Sequence, residues 1–248
     1  MQHLEHLAAL DTEIDTFVAT IRDASLDRPV PTCPGWDLAE LIRHTGCVHR
    51  WAEWHVRNVA PQRRSQADIG IAAPSDDELV EWFTEGGRLV VATLRAADPD
   101  AAMWAWGADQ HVRFWSRRQA HETAIHRVDA EAATGTISAL APQLAADGIS
   151  ELLDNIPTAA YFAPNVRQLV GEGESLHIHC TDTEGEWTIT LEPDGFRVDA
   201  THSKATVAVR GRASDLALAL YKRTDLDDRF EVFGDRAVLD FWLAHAWI

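Results

Sequence analysis

The stretch Arg117-Arg118-Gln119-Ala120-His121-Glu122-Thr123-Ala124-Ile125-His126-Arg127-Val128-Asp129 decides how this chain is read. It invites comparison with the HExxH motif of zinc proteases, in which two histidines four residues apart share one helix face. Here His121 and His126 are five apart, and on a helix that turns them about 140° away from each other. The pair that shares a face is Glu122 and His126, at i and i+4. Arg118 and Asp129 fall on the same stripe, beside the apolar row Ala124, Ile125 and Val128. A helix with Arg, Glu, His and Asp in one row next to an apolar row carries a polar seam close to a helix-bundle core.

Working outward, the first 155 residues or so have helical periodicity. Leu4, Leu7, Ile14, Phe17, Val18 and Ile21 recur at helical spacing. After the break at Pro29, Pro31, Pro34 and Gly35, Asp37 with Glu40 forms a capping-box pattern. It opens a helix expected to run to about Asn58, with Leu41, His44, Val48 and Trp51 on its inward stripe. Ser75 with Glu78 is a second such pattern, for a helix toward Arg95. The Arg117–Asp129 stretch lies in a fourth helix, about Arg113 to Ala133, stopped by Gly135. A shorter helix is expected over Gln143 to Asn155, before Pro157. Beyond residue 172 the period changes to two. Ser175–Thr181, Glu186–Leu191, Phe196–Val198 and Ala205–Val209 alternate like strands, with turns at Asp182–Gly185 and Pro193–Gly195. A short helix from Ser214 or Asp215 through Tyr221 and a last one over Asp235–Trp247 complete the reading. The expected architecture is α + (α+β): a four-helix bundle over residues 1–160, then a small antiparallel α+β domain over 172–248.

Composition limits the function. With 39 acidic residues against 22 lysines and arginines, the formal charge is −17 in 248 residues. That disfavours a broad grip on nucleic acid or anionic lipid, and any anionic substrate needs a local cation. The three cysteines, Cys33, Cys47 and Cys180, make no disulfide framework, which points to a reducing, cytoplasmic setting. No signal-peptide pattern opens the chain, and no window approaches the roughly 20 apolar residues of a membrane helix.

The inward His44 supplies a possible partner for the seam. His44 on one helix with Glu122 and His126 on another gives three protein ligands and an open position, the usual layout of a catalytic zinc site. Spacing alone leaves two other readings open: a solvated Glu–His pair with an unrelated core histidine, and a metal-free bundle in which Glu122 pairs with Arg118. His177 and His179 share one strand face and could bind metal, but with no third ligand evident they read as a solvated face. The cysteines read as inert small residues.

At these residues the sequence resembles the mycothiol-dependent maleylpyruvate isomerase family. The resemblance rests on Cys33-Pro34-Gly35-Trp36-Asp37-Leu38 followed by His44, and on the run from Arg118 through Glu122 and His126 to Asp129. It extends to Val209–Leu216, Arg223 and Phe233-Gly234-Asp235. It implies a DinB-like four-helix bundle joined to a domain similar to sterol carrier proteins. It also implies zinc or another divalent metal on His44, Glu122 and His126, and mycothiol as the thiol cosubstrate. A functional arginine of that family has its nearest counterpart in Arg223.

The expected activity is thiol addition or transfer to a small electrophile, as an S-transferase or a cis-trans isomerase. Arg118 or Arg223 would hold a substrate carboxylate, Asp129 would orient a ligand or an arginine, and Trp36 and Trp51, with Trp115, would line the cavity. The expected partners are a small-molecule electrophile and a thiol, with no nucleic acid and no membrane, in a monomer or homodimer. The competing expectation is a non-catalytic metal- or ligand-binding module, with a site closed by Asp129 or Cys47.

Overall fold

The second helix shows how local chemistry sets the frame. Asp37 holds an extended backbone (φ −99°, ψ 176°), and its carboxylate accepts from the Glu40 amide at 2.8 Å. The Glu40 carboxylate accepts from the Asp37 amide at 3.1 Å, so two amides that a helix start leaves without partners are satisfied. The computed structural model describes residues 1–201 and 203–247. Four long helices, α1 (His3–Ile21), α2 (Leu38–Arg57), α3 (Asp76–Ala96) and α4 (Val112–Thr134), form the first of two compact units, Met1–Ser138. Helix α1 packs along α4 and α2 along α3, and the α1–α3 and α2–α4 contacts close the bundle.

The bundle core is built from the apolar stripes: Leu7, Leu10, Phe17 and Ile21 of α1, Leu38, Leu41 and Ile42 of α2, and Leu79, Phe83 and Leu94 of α3. The Phe17 and Phe83 rings meet at 4.7 Å. Burying each such side chain contributes roughly 1.5–3 kcal/mol. Helix α4 is buried around most of its circumference, polar residues included. Its Arg127 is closed off by Glu13 (2.7 Å) and Glu131 (2.8 Å), and donates to the Ser138 carbonyl at 3.0 Å. Buried charges of this kind persist only when paired. Gly135 ends the helix with φ +89°, the left-handed conformation that glycine adopts without Cβ strain.

The second unit, Ala139–Ile248, begins earlier than periodicity suggests. Helix α5 (Pro142–Asn155), read from sequence as part of the first domain, packs on α6 (Ala213–Leu220). The Leu140 amide donates to Ser214 Oγ at 2.9 Å, and Trp187 Nε1 donates to Ser150 Oγ at 3.0 Å. Apolar spacing identifies the stripe of α5 but not the element that covers it.

Five strands, β1 (Ser175–Cys180), β2 (Glu186–Glu192), β3 (Gly195–Asp199), β4 (Val207–Gly211) and β5 (Glu231–Gly234), are ordered β3-β2-β1-β4-β5. Three pairings are antiparallel, as expected, but β1 and β4 run parallel, so the sheet is mixed. Strand β5 escapes sequence reading because it is four residues long and pairs only with β4. Asp235 then caps α7 (Arg236–His245), its carboxylate accepting from the Ala237 amide.

Candidate metal centre

A short looped segment leads into α2 and places two of the site's neighbours. The Val30 amide donates to the Trp36 carbonyl at 2.9 Å and the Trp36 amide to the Cys33 carbonyl at 3.0 Å. Gly35 turns the chain with φ +88°. The Trp36 ring therefore lies 5.0 Å from the His44 ring and 6.4 Å from that of His126, and the two imidazoles are 5.0 Å apart, edge to face. Helices α2 and α4 thus bring together residues 78 positions apart in sequence.

The donors converge on one oxygen. His44 Nε2 and His126 Nε2 each lie 3.3 Å from Glu122 Oε1. The other oxygen, Oε2, accepts from Arg118 at 3.0 Å. Donors of a tetrahedral site with bonds of about 2.1 Å stand about 3.4 Å apart, so this spacing matches a zinc-class cation. Two imidazoles and a carboxylate are also a donor set suited to such an ion. His44 is the open side, its side chain 39 % exposed.

Behind the donors, His126 Nδ1 donates to Asp129 Oδ2 at 2.8 Å, and Asp129 is wholly buried. That bond puts the proton on Nδ1 and leaves Nε2 turned toward Glu122, the usual way a carboxylate orients a metal-binding histidine. The Cys33 thiol donates to the same Asp129 oxygen at 3.4 Å. Cys33 therefore borders the site, which its position in a loop did not reveal.

Electrostatics tie the cluster together. Burial favours the neutral form of Glu122, but hydrogen bonds from His126 and His44 and the charge of Arg118 outweigh it and hold the carboxyl well below its usual range. Burial likewise disfavours charging His126, yet the hydrogen bonds and charges of Asp129 and Glu122 push it up to about 9. The pocket is thus built to hold positive charge at Nε2, whether a proton or a cation.

The remaining expected residues are placed as follows. Arg118 is committed to Glu122, with its side chain 6 % exposed, and lies 6.0 Å from the Trp106 ring. Trp51 sits two turns beyond His44 on α2, in an aromatic cluster with His55, Trp104 and Trp115, and donates to the Arg64 carbonyl at 2.6 Å. Arg223 belongs to the second unit, where its guanidinium donates to the Tyr221 carbonyl at 2.7 Å. His121 packs against His6 of α1, in keeping with its rotation away from His126. Burial raises the thiol pKa of Cys47, and burial with the Asp182 charge pushes Cys180 up to about 12, so both stay protonated at neutral pH.

A four-helix bundle with a His/Glu/His cluster shared by two of its helices, followed by a separate α+β unit, defines the class of protein. A family model for the mycothiol maleylpyruvate isomerase N-terminal domain matches residues 7–131, and one for the C-terminal domain of the same proteins matches residues 143–241. The chain belongs to the mycothiol-dependent maleylpyruvate isomerase family. Among solved structures, it is similar to the mycothiol-dependent maleylpyruvate isomerase at TM-score 0.58 and 13 % identity, covering 94 % of this chain and 93 % of that one. A mutant form of that enzyme is similar at TM-score 0.59 and 14 % identity, over the same shares. At this identity the likeness concerns the fold. No curated protein matches the sequence.

Proposed function

We propose that this chain is a metal-dependent thiol enzyme. In this reading His44, Glu122 and His126 hold a zinc-class divalent cation, and mycothiol adds to, or is transferred to, an electrophilic small molecule. The observation that carries the reading is the approach of two imidazoles from different helices to a single carboxylate oxygen, each at 3.3 Å. When bound, such a cation lowers the pKa of a thiol, so that a thiolate nucleophile exists at neutral pH.

The chain's own side chains supply the rest. Asp129 fixes the His126 tautomer, and Arg118 pins Glu122 Oε2 so that Oε1 faces the histidines. The Trp36 ring packs beside the two imidazoles and leaves His44 open to solvent. The carboxylate of an acidic electrophile is assigned to Arg118 or Arg223, the latter following the family resemblance. The chain's cysteines are spared nucleophilic work, because the reactive sulfur arrives with the cosubstrate. The three free thiols fit a reducing cytoplasmic setting, and no helix among the described residues is long and apolar enough to cross a membrane.

A closed, non-catalytic metal site finds less support. Asp129 contacts His126 Nδ1, the nitrogen facing away from Glu122, and so does not stand as a fourth ligand. The test is metal content together with mycothiol consumption against a panel of electrophiles, comparing wild type with Glu122→Ala. The reading expects about one zinc at this centre and thiol consumption, both lost in the variant. A product that retains the thiol marks a transferase, and a cis-trans isomer with free thiol regenerated marks an isomerase. Wild-type protein that neither binds nor consumes the thiol sinks the proposal.

A further inference from the structure

The outer face of the C-terminal sheet carries a second cluster that the thiol chemistry does not use. His177 and His179 alternate along β1, so both point to the face opposite Leu176, Ile178 and Cys180, which are buried in the core. Strand β1 is the central strand, paired with β2 on one side and β4 on the other, so the two histidines stand on fixed backbone. The hairpin register sets Glu186 of β2 directly opposite His179. That supplies the third donor which the sequence did not make evident.

The distances are those of a donor set. Glu186 Oε1 lies 2.7 Å from His179 Nδ1 and 3.4 Å from His177 Nε2, and one donor atom from each residue lies within 4.8 Å of the others. The reading of these histidines as a solvated strand face is corrected by burial: His177 is only 5 % exposed. Thr188, its cross-strand neighbour, is bonded to the Thr201 carbonyl and to the Ser203 hydroxyl, both at 2.9 Å, so chain beyond β3 covers this row. On the other side of His179, Arg210 of β4 gives its guanidinium to Glu231 at 3.1 Å.

We propose that His177, His179 and Glu186 form a second binding site for a zinc-class divalent cation, separate from the bundle centre. Two imidazoles select a first-row transition metal over magnesium or calcium. Two histidines and one glutamate leave at least one coordination position open. The spacing of about 3.4 Å expected between tetrahedral donors is already met by His177 and Glu186, and a small side-chain rotation of His179 brings it from 2.7 Å to the same range.

The experiment measures zinc per chain by elemental analysis after gel filtration of zinc-loaded protein, with visible absorption of the cobalt-loaded form as a second readout. Wild type is expected to carry two equivalents. His179→Ala and the shape-preserving Glu186→Gln should each lose one and keep thiol activity. His44→Ala should lose the other, and His44→Ala/Glu186→Gln should lose both. Unchanged zinc and cobalt spectra in both His179→Ala and Glu186→Gln would overturn the sheet site. One equivalent in wild type, removed only by His44→Ala, also overturns it while leaving the bundle reading intact. One equivalent removed only by the sheet variants supports the sheet site and defeats the bundle reading instead. Far-UV circular dichroism identifies a variant that has lost its fold, and Glu186→Gln then decides for His179→Ala.

Discussion

Replacing Asp129 with asparagine tests whether this residue orients the metal centre or belongs to it. Asp129 is wholly buried and accepts from His126 Nδ1 at 2.8 Å and from the Cys33 thiol at 3.4 Å. Asparagine keeps the volume but removes the charge, and its amide nitrogen can face the imidazole as a donor. His126 would then be free to place its proton on Nε2, the nitrogen a cation needs. Loss of such an orienting partner weakens metal binding about 10–100-fold, or about 1.4–2.8 kcal/mol. The ligands themselves are untouched, so activity should return when metal is raised by the same factor. His44→Ala removes a donor and should not be rescued in this way. Competition with a chelator whose zinc affinity is known gives both constants, and turnover against free zinc gives the rescue. Wild-type affinity in Asp129→Asn would refute the orienting role, and a loss that excess metal cannot restore would make Asp129 a ligand.

Two further outcomes concern the fold. Burial pushes His49 down to about 3, although the nearby Glu122 charge raises it, and its Nε2 bonds Thr123 Oγ1 at 2.8 Å. The unfolded chain therefore takes up a proton near pH 6.5 that the folded chain refuses, and stability falls as pH drops from 6.5 toward 3. This amounts to about 2 kcal/mol by pH 5. Urea unfolding at pH 7 and pH 5 should show a smaller difference in His49→Gln than in wild type, and an equal difference would contradict the assignment. Arg127→Met leaves Glu13 and Glu131 buried without their cation and should cost about 3–5 kcal/mol in denaturant unfolding. A loss below 1 kcal/mol would mean that this network is solvated in solution.

Local chemistry is legible in this sequence wherever one turn of chain decides it. Asp37 with Glu40 marks the start of α2, and Gly135 the end of α4, both within a residue of the structure. The similar pattern at Ser75 starts α3 at the expected place, but its side chain makes no capping hydrogen bond. Rows on single helices were legible only in part: Glu122 beside His126 follows from spacing, but the buried face of α2 runs through Leu41, Thr45, His49 and Ala52, and His44, Val48 and Trp51 of the expected inward stripe lie off it. The adjacency of α2 and α4 did not follow from spacing, since it depends on which stripes meet. The same limit hid Glu186 as the partner of His179, because it requires the register across the Thr181–Gly185 turn. It also hid the separate aromatic cluster that takes Trp51 and Trp115, and the placement of α5 with α6. In each case the missing information is a contact between elements.

The parallel pairing of β1 with β4 has a consequence for how this protein is made. Strand β1 gains its first neighbour as soon as the β1–β2 hairpin closes, but its other edge stays open until the chain has run on to Val207. During synthesis that edge presents unpaired amides and carbonyls beside Leu176, Ile178 and Cys180, an alternating apolar strand of the kind that recruits other chains. Non-local closure is also the slower event, because the intervening loop must be ordered before the pairing rewards it. Yield at low expression rate and the kinetics of refolding should therefore be governed by the closing of β4 onto β1 more than by the fast, local helices of the bundle.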